Sequence, residues 1–171
     1  MRTLFELDKK NYNINGRKLV RPSVRGIIIQ GDKIALVHSL KYDYYKFPGG
    51  GIDNNESHLE TLIREVHEEA GLTVVEKSVK EYGMVRRIEK ALDVDVFIQD
   101  NFYYLCDVKD EILKQKLDDY EAEEQFTLEI VNPETAIAVN RKDTHGSKSK
   151  LMIEREALVL ELLIKEGYFK K

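Results

Sequence analysis

Residues Gly50 to Leu72 read GGIDNNESHLETLIREVHEEAGL, directly after YKFPG. Asn55 or Ser57 can cap a helix start, and Gly71 is placed to take the left-handed conformation that ends one. The spacing therefore predicts a helix from about Ser57 to Ala70. At about 100° per residue, Leu59, Leu62, Ile63, Val66 and Ala70 share one arc, the face that should pack on a sheet. Glu65, Glu68 and Glu69 fall on a neighbouring arc at i, i+3, i+4, where like charges repel by roughly a few tenths of a kcal/mol per exposed pair. Taken alone, they would make a solvated acidic face helped by Glu60–Arg64 and Arg64–Glu68 pairs. The glycine loop in front changes the weighing. Clustered carboxylate oxygens suit a hard divalent cation, and glycines let backbone carbonyls approach the same ion.

Outward from this helix, the chain reads as one mixed α/β domain over residues 1–171. VRGIIIQGDKIALVHS has the pattern of two strands joined at Gly31-Asp32, buried over Gly26–Ile29 and Ile34–Val37. YKFPGGGIDNN reads as a glycine-rich loop that cannot continue a strand. TVVEKSVKEYGMVRRIEK, VDVFIQDNFYYLCDV and QFTLEIV are rich in β-branched and aromatic residues and read as strands, and KDEILKQKLDDYEAEE as a charged, partly helical connection. Asn132-Pro133-Glu134 starts another helix with a cap, a proline and an acid. A C-terminal amphipathic helix runs over about 150–166 and stops at Gly167.

Hydrophobic residues are 42% and charged residues 34% of the 171, a balance that belongs to a globular chain rather than a disordered one. The formal net charge of −4 speaks against holding nucleic acid on a broad basic face, yet allows a phosphorylated substrate if metal ions supply positive charge. The lone Cys106 cannot form an internal disulfide, and MRTLFELDKK lacks the apolar stretch of a secretory signal. No apolar run approaches the roughly 20 residues of a membrane span. A cytoplasmic location follows as the expectation.

From Gly50 the chain satisfies G-x5-E-x7-R-E-U-x-E-E-x-G-U, with U a bulky aliphatic residue, through Gly50, Glu56, Arg64, Glu65, Val66, Glu68, Glu69, Gly71 and Leu72. Nine constrained positions at fixed spacing make this far more specific than a lone glycine motif. The segment resembles the signature of the Nudix hydrolases, and Phe47-Pro48-Gly49-Gly50 leads into it as is usual in that family. The resemblance implies an α/β/α sandwich with a mixed β-sheet, and cleavage of a phosphoanhydride with Mg²⁺ or Mn²⁺. The substrate it implies is a nucleotide or a nucleoside diphosphate linked to another moiety.

By position, the resemblance implies Glu68 and Glu69 as metal ligands, Glu65 as a further ligand or the base that activates water, and Arg64 as the residue orienting a glutamate. Glu56 becomes a structural partner, and the carbonyl of Gly50 or its neighbour completes the coordination. A further acid is expected downstream in DYEAEEQFTLEIV, where Glu124 is chosen over Glu123 and Glu121. Arg25, Tyr45 and Arg87 are the substrate-binding candidates, with Tyr44, Tyr82 and Arg86 as others able to stack on a base or hold phosphate. His58 and His67 read as surface residues.

No marker of a substrate subclass is present, so the physiological substrate stays open. Two rivals accompany the hydrolase: a non-catalytic Nudix-fold sensor, and an RNA 5′-end pyrophosphohydrolase served by Arg17, Lys18, Arg21 and Arg25. Nucleic acid is otherwise disfavoured as a partner, a membrane is excluded, and a homodimer is compatible with the sequence.

Overall fold

The computed structural model describes residues 1–170. The strands are β1 (Thr3–Asp8), β2 (Lys18–Val20), β3 (Ser23–Ile27), β4 (Ile29–Gln30), β5 (Lys33–Ser39), β6 (Tyr44–Lys46), β7 (Gly49–Gly51), β8 (Lys80–Glu89), β9 (Val96–Leu105) and β10 (Phe126–Val131), and the long ones, β8 and β9, are rich in β-branched and aromatic side chains. The helices are α1 (His58–Ala70), α2 (Asp119–Glu123), α3 (Pro133–Asn140) and α4 (Lys150–Lys165). One sheet has the order β1-β8-β9-β3-β7, with β2 also on β9. It is mixed: β3 runs parallel to β9, whereas β7 runs antiparallel to β3. The second sheet, β10-β5-β4 with β6 on β5, is antiparallel throughout.

Alternation along β3 divides the interior. Val24 and Ile28 join Leu62, Val66 and Ala70 of α1 in one core, while Ile27 joins Phe47, Tyr103, Leu160 and Leu163 in the other. Helix α1 therefore covers one face and α3 with α4 the other, which is an α/β/α sandwich. The packing of α1 on β3 is close at Gly26, where a Cβ would sit 3.1 Å from Val66 Cγ2.

Both ends of α1 are set by local chemistry. Ser57 Oγ accepts from the Glu60 N–H at 3.1 Å, and the Glu60 carboxylate accepts from the Ser57 N–H at 2.8 Å. Such a reciprocal cap stabilises a helix by about 1 kcal/mol. Gly71 closes the helix at φ +67°.

The structure corrects several expectations. The first strand of the expected pair breaks at Ile28, so that β3 serves the mixed sheet and β4 the antiparallel one. Gly49–Gly51 is a strand after all. It pairs with β3 so closely that a Cβ on Gly49 would lie 2.1 Å from the Val24 carbonyl oxygen, and glycine makes the approach feasible. Leu59 is exposed at the start of α1. The charged connection is helical only at α2, and its earlier part runs along the end of α1, with Leu113 N–H bonded to the Gly71 carbonyl and Lys116 N–H to that of Glu68. Strands β1, β2 and β6 lack a sequence signal strong enough to announce them. Among the described residues no helix is long and apolar enough to cross a membrane.

Candidate active site

The carboxylates of α1 are organised by one guanidinium. Arg64 donates to Glu56 from Nε (2.7 Å) and Nη2 (2.9 Å), and from Nη1 to Glu65 (2.9 Å) and Glu68 (3.3 Å). Its Nη2 also reaches the Gly51 carbonyl at 3.2 Å, tying the helix to β7. Four charge-assisted hydrogen bonds to one planar group hold the acids in fixed orientations.

Glu65 lies against β7, and Gly50 makes that approach feasible. A Cβ at Gly50 would sit 2.5 Å from Glu65 Oε1. The Glu65 carboxyl is pushed up to about 7, by burial first and then by the charge of Glu69, against the pull of Lys46 and Arg64.

Glu69 is 1% exposed and takes two donors, Lys46 Nζ at 2.7 Å and the Gly49 N–H at 3.2 Å. Burial, and the Glu121 carboxyl beside it, raise Glu69 to about 7, while Lys46 draws it down. Glu68 sits nearer solvent.

Glu65 and Glu69 line a cleft of about 350 Å³ together with Glu121. Arg25, Arg87 and Arg155 line the same cleft, all nearly buried. Gln99 Oε1 accepts from both Arg87 Nη2 and Arg155 Nη1 at 3.0 Å, and Glu156 accepts from Arg155 Nη2 at 3.1 Å. The Nε atoms of Arg87 and Arg155 are buried without a hydrogen-bond partner. Arg87 is pulled down to about 10, by burial first and then by the charge of Arg155, with Arg25 adding to it. Guanidiniums crowded this way favour an anion among them.

The sequence candidates divide. Arg25 and Arg87 line the cleft together with Glu65, Glu69 and Gly50. Tyr45 does not: residues alternate across β6, so Tyr44 and Lys46 face the cleft while Tyr45 stacks on His38 at 4.2 Å, in the other core. Glu124 is also turned away. Its carboxylate accepts from Tyr44 at 2.9 Å and Ser39 at 3.0 Å and pairs with Lys148, and the acid reaching Glu69 is Glu121. Glu121 lies within the short helix α2, whereas Glu124 is the residue that caps its C-terminus. Arg21 reaches the cleft, whereas Arg17 is tied to the Asp93 carbonyl. Arg86 pairs with Asp100, Tyr82 bonds Glu166, and His58 bonds Tyr104 at 2.7 Å, all outside the cleft. Lys46 and Arg155 escaped the sequence reading. A lysine in a strand beside Phe47-Pro48, and adjacent Arg155-Glu156 in an apolar helix, were the available signals.

Residues 19–152 match the family profile of the NUDIX domain. The chain belongs to the Nudix hydrolase family. It is 28% identical over 102 residues to an RNA pyrophosphohydrolase of Francisella tularensis subsp. mediasiatica, covering 58% of this chain and 55% of that protein. Over 50 residues it is 48% identical to an RNA pyrophosphohydrolase of Ruthia magnifica subsp. Calyptogena magnifica, 28% of each chain. The chain thus spans between about a quarter and about half the length of these curated relatives. A MutT protein of Bacillus halodurans shares the fold, with a TM-score of 0.56 at 21% identity, covering 78% of this chain and 80% of that one.

Nudix hydrolases generally use a divalent metal, and the donor chemistry here fits one. Among the described residues no three acidic, imidazole or thiol side chains converge as a ready-made ligand cluster. The donors available are oxygens, however. Glu65 and Glu69 are both raised by burial, and the charge of Glu69 raises Glu65 further, a repulsion that a hard cation would relieve. The bare Cα of Gly50 leaves room beside the Glu65 carboxylate.

Proposed function

We propose that this Nudix protein is a metal-dependent pyrophosphohydrolase working as one domain. It cleaves a phosphoanhydride bond in a nucleotide or in a nucleoside diphosphate linked to another moiety. The observation that carries this reading is the cleft itself, which is lined by Glu65, Glu69 and Glu121 and also by Arg25, Arg87 and Arg155. A diphosphate within it would meet metal-binding carboxylates and guanidiniums at once.

Glu68, Glu69 and the Gly50 carbonyl would hold Mg²⁺ or Mn²⁺, with Glu65 as a further ligand or as the base. The ion would neutralise phosphate charge and acidify a bound water. Glu65, raised toward 7, is matched to take a proton from water at neutral pH. Arg64 keeps that carboxylate oriented through its 2.9 Å bond. Arg25 and Arg87 would take the charge of the phosphate away from the metal, so that the phosphorus is positioned for in-line attack. Lys46 offsets part of the effect of burial on the Glu69 carboxyl. Buried Cys106 is in keeping with a cytoplasmic protein.

The test is steady-state hydrolysis of a nucleotide panel with Mg²⁺, Mn²⁺ or EDTA, following phosphate and pyrophosphate release. Glu65→Gln should lower turnover by roughly 10²–10⁴-fold, and Glu69→Gln by at least ~10²-fold, with circular dichroism unchanged. Wild-type rates in both folded variants would show that these glutamates are not the catalytic centre, and no hydrolysis of any nucleotide by the wild type would leave the sensor reading in its place. An RNA 5′-end activity is the second reading, favoured by the curated relatives that carry that name and by Arg21 at the cleft. Release of pyrophosphate or phosphate from 5′-triphosphorylated RNA, measured beside the mononucleotides, decides between them.

A further inference from the structure

A second hollow, of about 760 Å³, adjoins the cleft, and Arg87, Phe97 and Lys148 line both. Its remaining charges are lopsided. Lys9, Lys90 and Lys150 ring it, and the single carboxylate in its lining, Glu89, is already taken by Arg87 Nη1 at 2.8 Å and Ser149 Oγ at 2.7 Å. Lys148 is paired with Glu124. The ammonium groups of Lys9, Lys90 and Lys150 form no ion pair among the described residues, in a chain whose net charge is −4. Arg87, 7% exposed in the shared wall, keeps its buried Nε donor unused. Its guanidinium lies over the Phe97 ring at 5.1 Å, a flat, apolar and cationic floor. Three exposed ammoniums without a carboxylate partner give the hollow a positive field that an entering anion would meet.

We infer that this lysine-ringed hollow is a second phosphate subsite, continuous with the cleft, which holds a phosphate carried on the ribose 3′-oxygen of a nucleotide substrate. It rests on the reading of the cleft as the place where the 5′-diphosphate is cleaved. With the 5′ side of a nucleotide at the glutamates of the cleft, the next anion available along the molecule is on the 3′ side, and Arg87 and Phe97 are shared by the two hollows. Such a phosphate has two sources: a 3′-monoester, or the diester linking a next nucleotide. Both present the same charged oxygens to the same lysines.

Binding decides the matter without turnover. Calorimetry at low salt compares adenosine 5′-monophosphate, adenosine 3′,5′-bisphosphate and the 5′-phosphorylated dinucleotide pApA, and repeats the series with guanine. Relative to the monophosphate, the 3′-phosphorylated probes should bind about tenfold tighter, a gain that shrinks as salt is raised. A gain with the bisphosphate identifies the monoester as sufficient; a gain confined to the dinucleotide identifies the diester. The double variant Lys90→Gln/Lys150→Gln should erase the gain, Lys90→Arg/Lys150→Arg should restore most of it, and Lys33→Gln, outside the hollow, should leave it intact. Equal binding of all three probes in both series, or a gain that survives the double glutamine variant, overturns the subsite. A protein that shows the gain yet hydrolyses no phosphoanhydride would keep the subsite and sink the hydrolase reading.

Discussion

Lys46 Nζ lies 2.7 Å from Glu69 Oε1 and 3.1 Å from the Gly49 carbonyl, with the lysine side chain 10% exposed and the glutamate 1%. The pair joins β6 to the last turn of α1, and both residues line the cleft. Removing one member leaves the other charge buried alone. Lys46→Met should therefore cost about 3–5 kcal/mol in urea unfolding. Lys46→Met/Glu69→Gln should recover a large part of that loss, because no uncompensated charge remains. Additive losses in the double variant would mean that the two side chains act independently.

Glu121 and Glu124 belong to the same short acidic run but meet different surroundings. Glu121→Gln should depress turnover with little change in the melt, since its carboxyl adjoins Glu69 in the cleft. Glu124→Gln should instead lower the melting temperature, because a buried carboxylate bonded to Tyr44, Ser39 and Lys148 loses its charge. Equal melts and a larger rate loss for Glu124→Gln would reverse the assignment.

Glu56 supplies a pH signature. Its carboxylate is held down at about 2 from an ordinary 4.5, by the Arg64 hydrogen bonds first and by Thr61 and the Asp53 N–H as well. A carboxylate depressed on folding adds stability that is fully present above the unfolded value and disappears as pH falls through the folded one. The melting temperature of the wild type should exceed that of Glu56→Gln at pH 7. The gap should close between about pH 4.5 and about pH 2. A gap that stays constant over that window would show that the Glu56 charge does not contribute.

Cys106 is 5% exposed, and burial pushes its thiol up to about 12. At pH 8 the native protein should resist an aromatic disulfide reagent for hours, while the urea-unfolded chain reacts at once. Fast modification of the folded protein is the contrary result.

The outline of helix α1 was legible in the residues. Ser57 and Gly71 announced its ends, and Leu62, Val66 and Ala70 its buried face, because capping and helical periodicity are local properties that need no knowledge of distant chain. The same holds for the strand-rich middle and for the helix starting at Pro133. The glycine segment runs against its local signal. Propensity opposes a strand at Gly49–Gly51, and only the nearness of β3 turns the missing side chains into an advantage.

What the sequence determined by itself is the set of acids on α1 and their spacing, since i, i+3, i+4 places them together on any helix. Which groups join them was decided by the tertiary structure. Lys46 comes from β6, Glu121 from α2, Arg25 and Arg87 from different strands of the mixed sheet, and Arg155 from α4, up to 130 residues from Arg25. Their approach depends on sheet order and on which face each strand turns inward. A shift of one residue along β6 would have put Tyr45 in the cleft and Lys46 in the core, and long-range packing, not local propensity, selects between those two faces.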